Sequence, residues 1–370
     1  LEAQGKRQGR VVDVGSRSLH SFHHGQRLEE SSQPRSCKNS EEAAQLNDVY
    51  SKRGSLAIDG RPTLNNTTPA EFADATFSTV PSAVLVTAHS WTPWFGVFGS
   101  RGGYNNLEEA YEEHAKRVTA IETGMSSDPA MNWRVSFLDS VGIISSSDAH
   151  SPHPWRIGRE ANVFDFEKPS FDSIWKAVKA RDGKHFKYTI EVDPNYGKYH
   201  WDGHRAHNIS MPPEETKKHN GICPVCKKKL TLGVEYRIDE LADRPHGYVP
   251  KDAVPFKKLL PLHELIANAH STNLYNQAVM KEADALIDKF GNELSVLLET
   301  SENELAKVTH EKIARVIILN REGKIHVKPG YDGEYGVPEL PKELIVREAR
   351  AKRVKPEEPR VKGQLGLDQF

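Results

Sequence analysis

Three apolar runs in this chain each lead directly into a residue type that binds metals. Ser82–Ala88 (SAVLVTA) is followed by His89, Val118–Ile121 (VTAI) by Glu122, and Val141–Ser146 (VGIISS) by Asp148 and His150. Each run is the length of a buried strand. Between them Asn106–Arg117 reads as a helix, and Phe171–Arg181 and Phe186–Val192 continue as helix and strand. Such alternation is the signature of βα units in a barrel or doubly wound sheet. The carboxyl ends of the strands in that architecture open on one shared mouth, so residues far apart in sequence meet there. Imidazole and carboxylate groups at that mouth suit a divalent cation. Taken singly, His89 reads more simply as a core histidine and Asp148 as the cap of the turn at 151–154. The three coincidences together favour a site.

The 370 residues are enough for two or three domains with a sizeable core. Residues 1–45 are rich in Gly, Ser, Arg, Gln and His without sustained periodicity, and are expected to be disordered or non-native. Residues 46–192 hold the strand and helix pattern, 193–250 the histidines and cysteines, and 251–340 two or three amphipathic helices. Leu305, Val308, Ile313, Val316 and Ile317 mark the last of these. Residues 341–370 are charged and proline-bearing, as in a solvated flexible tail. A formal net charge of −1 removes any global field for nucleic acid, leaving local basic patches. No apolar run approaches the roughly 18 residues of a membrane span, and residues 1–25 lack the apolar core of a signal peptide. Two of the three cysteines form Cys223-Pro-Val-Cys226, a metal-binding spacing in a reducing compartment, so a cytoplasmic location is expected. No G-x-x-x-x-G-K-[ST] run is present, which excludes a P-loop helicase motor.

His204-x-x-His207 and Cys223-x-x-Cys226, fifteen residues apart, are two chelating pairs at the separation of a tetrahedral structural zinc. His200 and His219 are competing ligands. Lys227 and Lys228 beside the second pair can reach phosphates. Trp91 and Trp94 follow the first strand, where they either stack on an unstacked base or pack into the core. Arg134, Arg156 and Arg159 are candidate phosphate clamps.

Thr87-Ala88-His89, Ile121-Glu122-Thr123-Gly124 and Ser146-Ser147-Asp148-Ala149-His150 resemble the later metal motifs of the PHP superfamily of phosphoesterases. The longer strings HSWTPWFGVFG (89–99), ETGMSSDPAMNWR (122–134) and SSDAHSPHPWRIGREANVF (146–164) are similar specifically to endonuclease Q. The resemblance runs from about residue 45 into the tail. It implies an α/β fold, a partial PHP-type distorted β/α barrel followed by a zinc-ribbon-like module and a small helical C-terminal domain. It also implies a metal-dependent DNA repair endonuclease that incises 5′ to hypoxanthine, uracil, xanthine or an abasic site. His89, Glu122, Asp148 and His150 would then hold Mg2+, Mn2+ or Zn2+, with damaged DNA as partner. PHP domains also open with His-x-His on a first strand, and here His20, His23 and His24 follow no apolar run and read as unstructured polar residues. About the first hundred residues of the family are therefore expected to be missing or replaced, leaving half of the metal cluster. Two alternatives stay open: a PHP phosphatase of a small phosphorylated metabolite, and a non-catalytic DNA-binding fragment. The terminal Gln364-Leu-Gly-Leu367-Asp-Gln-Phe370 resembles the peptides with which repair enzymes bind sliding clamps, Leu367 and Phe370 being the apolar anchors.

Overall fold

The computed structural model describes residues 10–12, 21–23, 27–30, 35–56, 64, 67–94, 96–149, 153 and 155–346. His150 and the tail residues Gln364, Leu367 and Phe370 lie outside them. In chain order, short strands β1 (Arg10–Val12), β2 (Ser21–His23), β3 (Arg27–Glu30) and β4 (Arg35–Ser36) precede helices α1 (Ser40–Ser51) and α2 (Pro69–Thr79). Then come β5 (Val84–Thr87), α3 (Leu107–Tyr111), β6 (Val118–Glu122), α4 (Pro129–Asn132), β7 (Gly142–Ile144), β8 (Ala161–Phe164), α5 (Phe171–Ala180) and β9 (Phe186–Glu191). The hairpin β10 (Asp202–His204) and β11 (Ile209–Met211) leads to α6 (Pro213–Lys218), α7 (Val234–Leu241) and β12 (Phe256–Lys258). Helices α8 (Leu262–Ala269), α9 (Gln277–Phe290), α10 (Glu293–Leu298), α11 (Glu302–Leu305) and α12 (Glu311–Arg321) end in the hairpin β13 (His326–Lys328) and β14 (Val337–Glu339). No described helix is long and apolar enough to cross a membrane.

The site-bearing elements follow from local chemistry. β6 is buried at every position, as befits a strand with parallel neighbours on both edges and cover on both faces. Thr68 caps α2 by accepting from the Glu71 N–H while the Glu71 carboxylate accepts from the Thr68 N–H, and Pro69 opens the helix. Ser170 and Ser173 cap α5 in the same reciprocal way. The run 106–117 is not one helix: at Glu112 the backbone turns to φ +50°, and a tighter 3₁₀ turn over Glu112–Arg117 delivers the chain to β6.

Among the described residues, β4-β5-β6-β7 form one four-stranded sheet and β1-β8-β9-β12 another. β5, β6 and β7 are parallel, whereas β8 and β9 are antiparallel although α5 lies between them. The fold is thus mixed α/β. Asn162 joins the two sheets: its Oδ1 accepts from the Ser145 N–H just past β7 (3.1 Å) and its Nδ2 donates to the Ser145 carbonyl (2.7 Å). Val86, Ala120, Ile144, Phe164, Trp175, Val178 and Phe186 fill the space between sheets and α5. Within residues 1–45, β1 pairs with β8 and β4 with β5. Ladder pairing uses backbone groups and requires no apolar pattern in the added strand. Five helices stand where two or three were expected, because short α10 and α11 interrupt the run. Leu265, Val279, Leu286, Leu305, Ile313 and Ile317 share one core with Val163 and Ile190 of β8 and β9, so apolar packing is continuous across residue 250.

Candidate functional site

The parallel register of β5, β6 and β7 brings their carboxyl ends to one side. His89, two residues past β5, is 7% exposed and adopts φ +27°. Its N–H donates to Glu122 Oε2 at 2.7 Å, and Glu122, the last residue of β6, is 2% exposed. Gly124 holds φ +66°, and a Cβ there would lie 3.0 Å from the His89 Cα, so the Glu-Thr-Gly turn needs glycine for close approach as well as for its backbone. Asp148, four residues past β7, is partly exposed with φ +43°. The loop it opens is pinned at its base. Ser147 Oγ donates to the Glu160 carbonyl (2.9 Å), the Gly158 N–H donates to Ser147 Oγ (2.9 Å), and Arg159 Nε donates to the Ser147 carbonyl (3.0 Å).

Two further carboxylates were not singled out from the sequence. Glu191 closes β9 as Glu122 closes β6, a signal that was available; Glu160 precedes β8 and had none. Both are fully buried. Burial holds the Glu160 carboxyl well above the ordinary range, reinforced by the charges of Glu191 and Glu122 and opposed by Arg159. Burial likewise raises Glu191, against hydroxyl donation from Thr189 (2.6 Å) and Thr123 (2.8 Å).

The aromatic and basic candidates separate. Trp91 is 1% exposed, donates Nε1–H to Asn132 Oδ1 at 2.7 Å and leans on Phe98; it packs the core and presents no face to a base. Trp94 is half-buried, edge-on to Tyr199 and near Arg101. Arg134 is buried in an ion pair with Asp239 at 2.6 Å, and Arg159 is buried on the Ser147 carbonyl, so as placed neither offers its guanidinium to a phosphate. Arg156 remains partly exposed, 5.8 Å from the Tyr335 ring. Lys227 and Lys228 are exposed beside the cysteine pair.

His204 ends β10, His207 follows in a 3₁₀ turn closed by left-handed Asn208, and Cys223 and Cys226 lie in a tight knuckle with left-handed Lys227. The Lys227 N–H donates to the Cys223 carbonyl and the Cys223 N–H to the Lys228 carbonyl. One ligand atom from each of the four residues falls within 4.8 Å of the others, with His204 Nδ1 3.0 Å from His207 Nδ1 and 3.4 Å from Cys226 Sγ. That donor set and spacing fit a tetrahedral zinc. Burial works to raise the Cys223 thiol, but the backbone N–H of Cys226, the His204 side chain and the Val225 N–H pull it down to about 6, toward the thiolate a metal requires. His200 is engaged by the Ser126 carbonyl and Glu235, and His219 by Glu215, so neither competes. Among the described residues this is the group of His, Cys and acidic side chains gathered within metal-binding range; His89, Glu122 and Asp148 stand on neighbouring strand ends without forming another.

Comparison with known proteins places these features in context. The family model of the MJ0043 C-terminal domain matches residues 261–324. The chain is 34% identical over 253 residues to MJ0043 of Methanocaldococcus jannaschii, covering 66% of this chain and 31% of that protein. It is 30% identical over 254 residues to YqxK of Bacillus subtilis, covering 68% of this chain and 60% of that protein. The chain thus spans about a third of the one relative and three fifths of the other. Among solved structures it is similar to the lesion-specific endonuclease PfuEndoQ from Pyrococcus furiosus, with TM-score 0.74, 29% identity, and coverage of 86% of this chain and 77% of that one. It is also similar to endonuclease Q in complex with a 27-mer duplex bearing an abasic lesion at the active site, with TM-score 0.76, 28% identity, and coverage of 86% and 78%.

Proposed function

From the premise that this chain is an endonuclease Q relative, homologous to MJ0043 and YqxK, we propose that it acts as a metal-dependent DNA repair endonuclease. It would hydrolyse the phosphodiester 5′ to a deaminated base (hypoxanthine, uracil or xanthine) or an abasic site. The observation that carries this reading is the likeness over 86% of the chain to an endonuclease Q structure holding an abasic duplex. Residues 46–192 would be the C-terminal part of a PHP barrel, 193–250 a zinc module and 251–340 a helical domain. Residues 1–45 and the tail 341–370 would flank them.

His89, Glu122, Asp148 and His150 would hold Mg2+, Mn2+ or Zn2+. An imidazole and two carboxylates on adjacent parallel strand ends, one carboxylate oriented by a backbone N–H, fit such an ion chemically. When bound, it supplies an activated water and stabilises charge on the attacked phosphate. The chain's own part is to fix the carboxylates: the His89 N–H aims Glu122, while Ser147 and Arg159 hold the base of the Asp148 loop. Arg156, Lys227 and Lys228 would contact phosphates, and Trp94 offers the aromatic surface that Trp91 does not. His204, His207, Cys223 and Cys226 would hold a structural zinc. The tail would bind a sliding clamp through Gln364, Leu367 and Phe370.

The test is nicking of an end-labelled duplex carrying one deoxyuridine, deoxyinosine or abasic site, with magnesium or manganese and a chelator control. Lesion-dependent, chelator-sensitive incision on the 5′ side is the expected result. Specific binding of the lesion duplex without any nick would establish instead a non-catalytic damage-binding chain. Neither binding nor nicking would end both.

A further inference from the structure

The loop between Asp148 and β8 carries a stack of rings that the proposed chemistry does not use. The His153 imidazole lies on the Trp155 indole with centroids 4.5 Å apart and planes only 6° from parallel. Trp155 is 3% exposed and backed by His263 of α8 at 5.3 Å. His153, by contrast, is exposed. Tyr275, 68% exposed, stands edge-on to both rings, 6.3 Å from His153 at 74° and 5.7 Å from Trp155 at 80°. Trp155 Nε1 and both ring nitrogens of His263 are buried with no hydrogen-bond partner among the described residues. Unpartnered buried polar atoms are destabilising, and aliphatic side chains would fill the same space without that penalty.

We propose that the outer side of His153, backed by Trp155 with Tyr275 beside the pair, is a stacking site for an unpaired nucleobase of the lesion duplex. This rests on the reading of the chain as a DNA damage enzyme and adds to it a subsite five residues beyond Asp148. The occupant follows from shape and charge. A nearly parallel pair ending in an exposed ring is extended by another flat ring, and Tyr275 stands edge-on beside the pair. Arg156, partly exposed in the same loop and next to Trp155 in sequence, supplies a cation for the attached backbone. Because every base has a π face, the site would tolerate any sequence beside the lesion.

The test measures binding of fluorescent abasic and undamaged duplexes to the full chain by anisotropy, with calcium replacing magnesium or manganese, and checks that the abasic strand stays intact. A 2-aminopurine opposite the abasic site reports stacking. His153→Ala and Tyr275→Ala should each weaken abasic-duplex binding roughly tenfold to a hundredfold and reduce the 2-aminopurine change, while undamaged duplex binds as before. His153→Phe should recover most of the affinity and His153→Gln little. Since His153 and Tyr275 are exposed, melting temperature should not move. Equal abasic-duplex affinity of the His153→Ala and native chains would overturn the stacking site and leave the endonuclease reading standing. A native chain that fails to distinguish abasic from undamaged duplex would overturn both.

Discussion

The histidine-cysteine knuckle and the strand-end mouth were both read from ligand spacing, yet they gather their residues over very different spans of chain. In the knuckle, four donors from two short turns fall within 4.8 Å of one another. At the mouth, His89, Glu122 and Asp148 arrive past the ends of three separate strands, and His150, the fourth candidate, lies outside the described residues. A chelating pair within a few residues is fixed by one turn. A ligand set spread over a sheet inherits every uncertainty of register and loop. The first kind of site is a unit of stability, the second a unit of chemistry resting on stability supplied elsewhere.

The largest effect that would break this distinction concerns the knuckle. Cys223→Ser should abolish one zinc equivalent by elemental analysis and destabilise residues 200–232 by at least about 3 kcal/mol, since structural zinc binding is folding free energy. Hydrogen exchange should rise there while β5, β6 and β7 stay protected. Retained zinc, or loss of protection throughout, would erase the contrast. At the mouth the corresponding test is Glu122→Gln, which keeps an acceptor for the His89 N–H. It should lower single-turnover nicking by about a thousandfold, roughly 4 kcal/mol of barrier, with melting nearly unchanged. A large fall in melting temperature would make Glu122 a structural residue.

How much of this was legible in sequence depended on range. Strands β5, β6, β7 and β9 and helix α5 announced themselves because apolar run and capping signal lie within the element itself. β8, only Ala-Asn-Val-Phe, was too short to register, although its Asn162 joins the two sheets. The 106–117 helix was read too long because side-chain spacing is blind to the backbone turn at Glu112. The four donors of the His204, His207, Cys223 and Cys226 cluster were legible as two chelating pairs, and the strand-end residues as positions. What sequence could not give was partnership. Arg134 resembled a free cation because Asp239, which neutralises it, lies 105 residues away.

Arg134 and Arg156 therefore make an intermediate test, one arginine spent on the fold and the other left to the surface. Arg134→Ala empties a buried guanidinium site and leaves the largely covered Asp239 with only the exposed His246 beside it, and should cost about 2 kcal/mol in denaturant unfolding. Its effect on DNA affinity measured well below the midpoint should be small. Arg156→Ala should do the reverse, leaving stability intact while lowering the salt dependence of DNA binding by about one counterion. If Arg134→Ala changed that slope and Arg156→Ala did not, the assignment of roles would be inverted.

The smallest effect lies where the two kinds of region touch, at His263, which ties helix α8 to the Asp148 loop through Trp155. Burial lowers its pKa below the ordinary 6.5, with Asp284 pulling it partly back. Between the lowered folded value and the unfolded value the unfolded chain binds more protons, so stability rises with pH across that interval. The contribution is complete above about pH 6.5 and is lost as pH falls toward the folded value. His263→Leu removes the titrating group and two unpartnered buried nitrogens, so it should flatten the fall in stability below pH 6.5. At pH 7.5 it should change stability by no more than about 1 kcal/mol, in the stabilising direction if the aliphatic side chain packs well. Unfolding curves of both chains from pH 5 to 8 measure the difference and cancel the titration of the other histidines. An unchanged acid slope would mean that His263 is not kept neutral by burial. A destabilised variant at pH 7.5 would mean that the ring holds the loop by its shape, making it part of the stabilising frame.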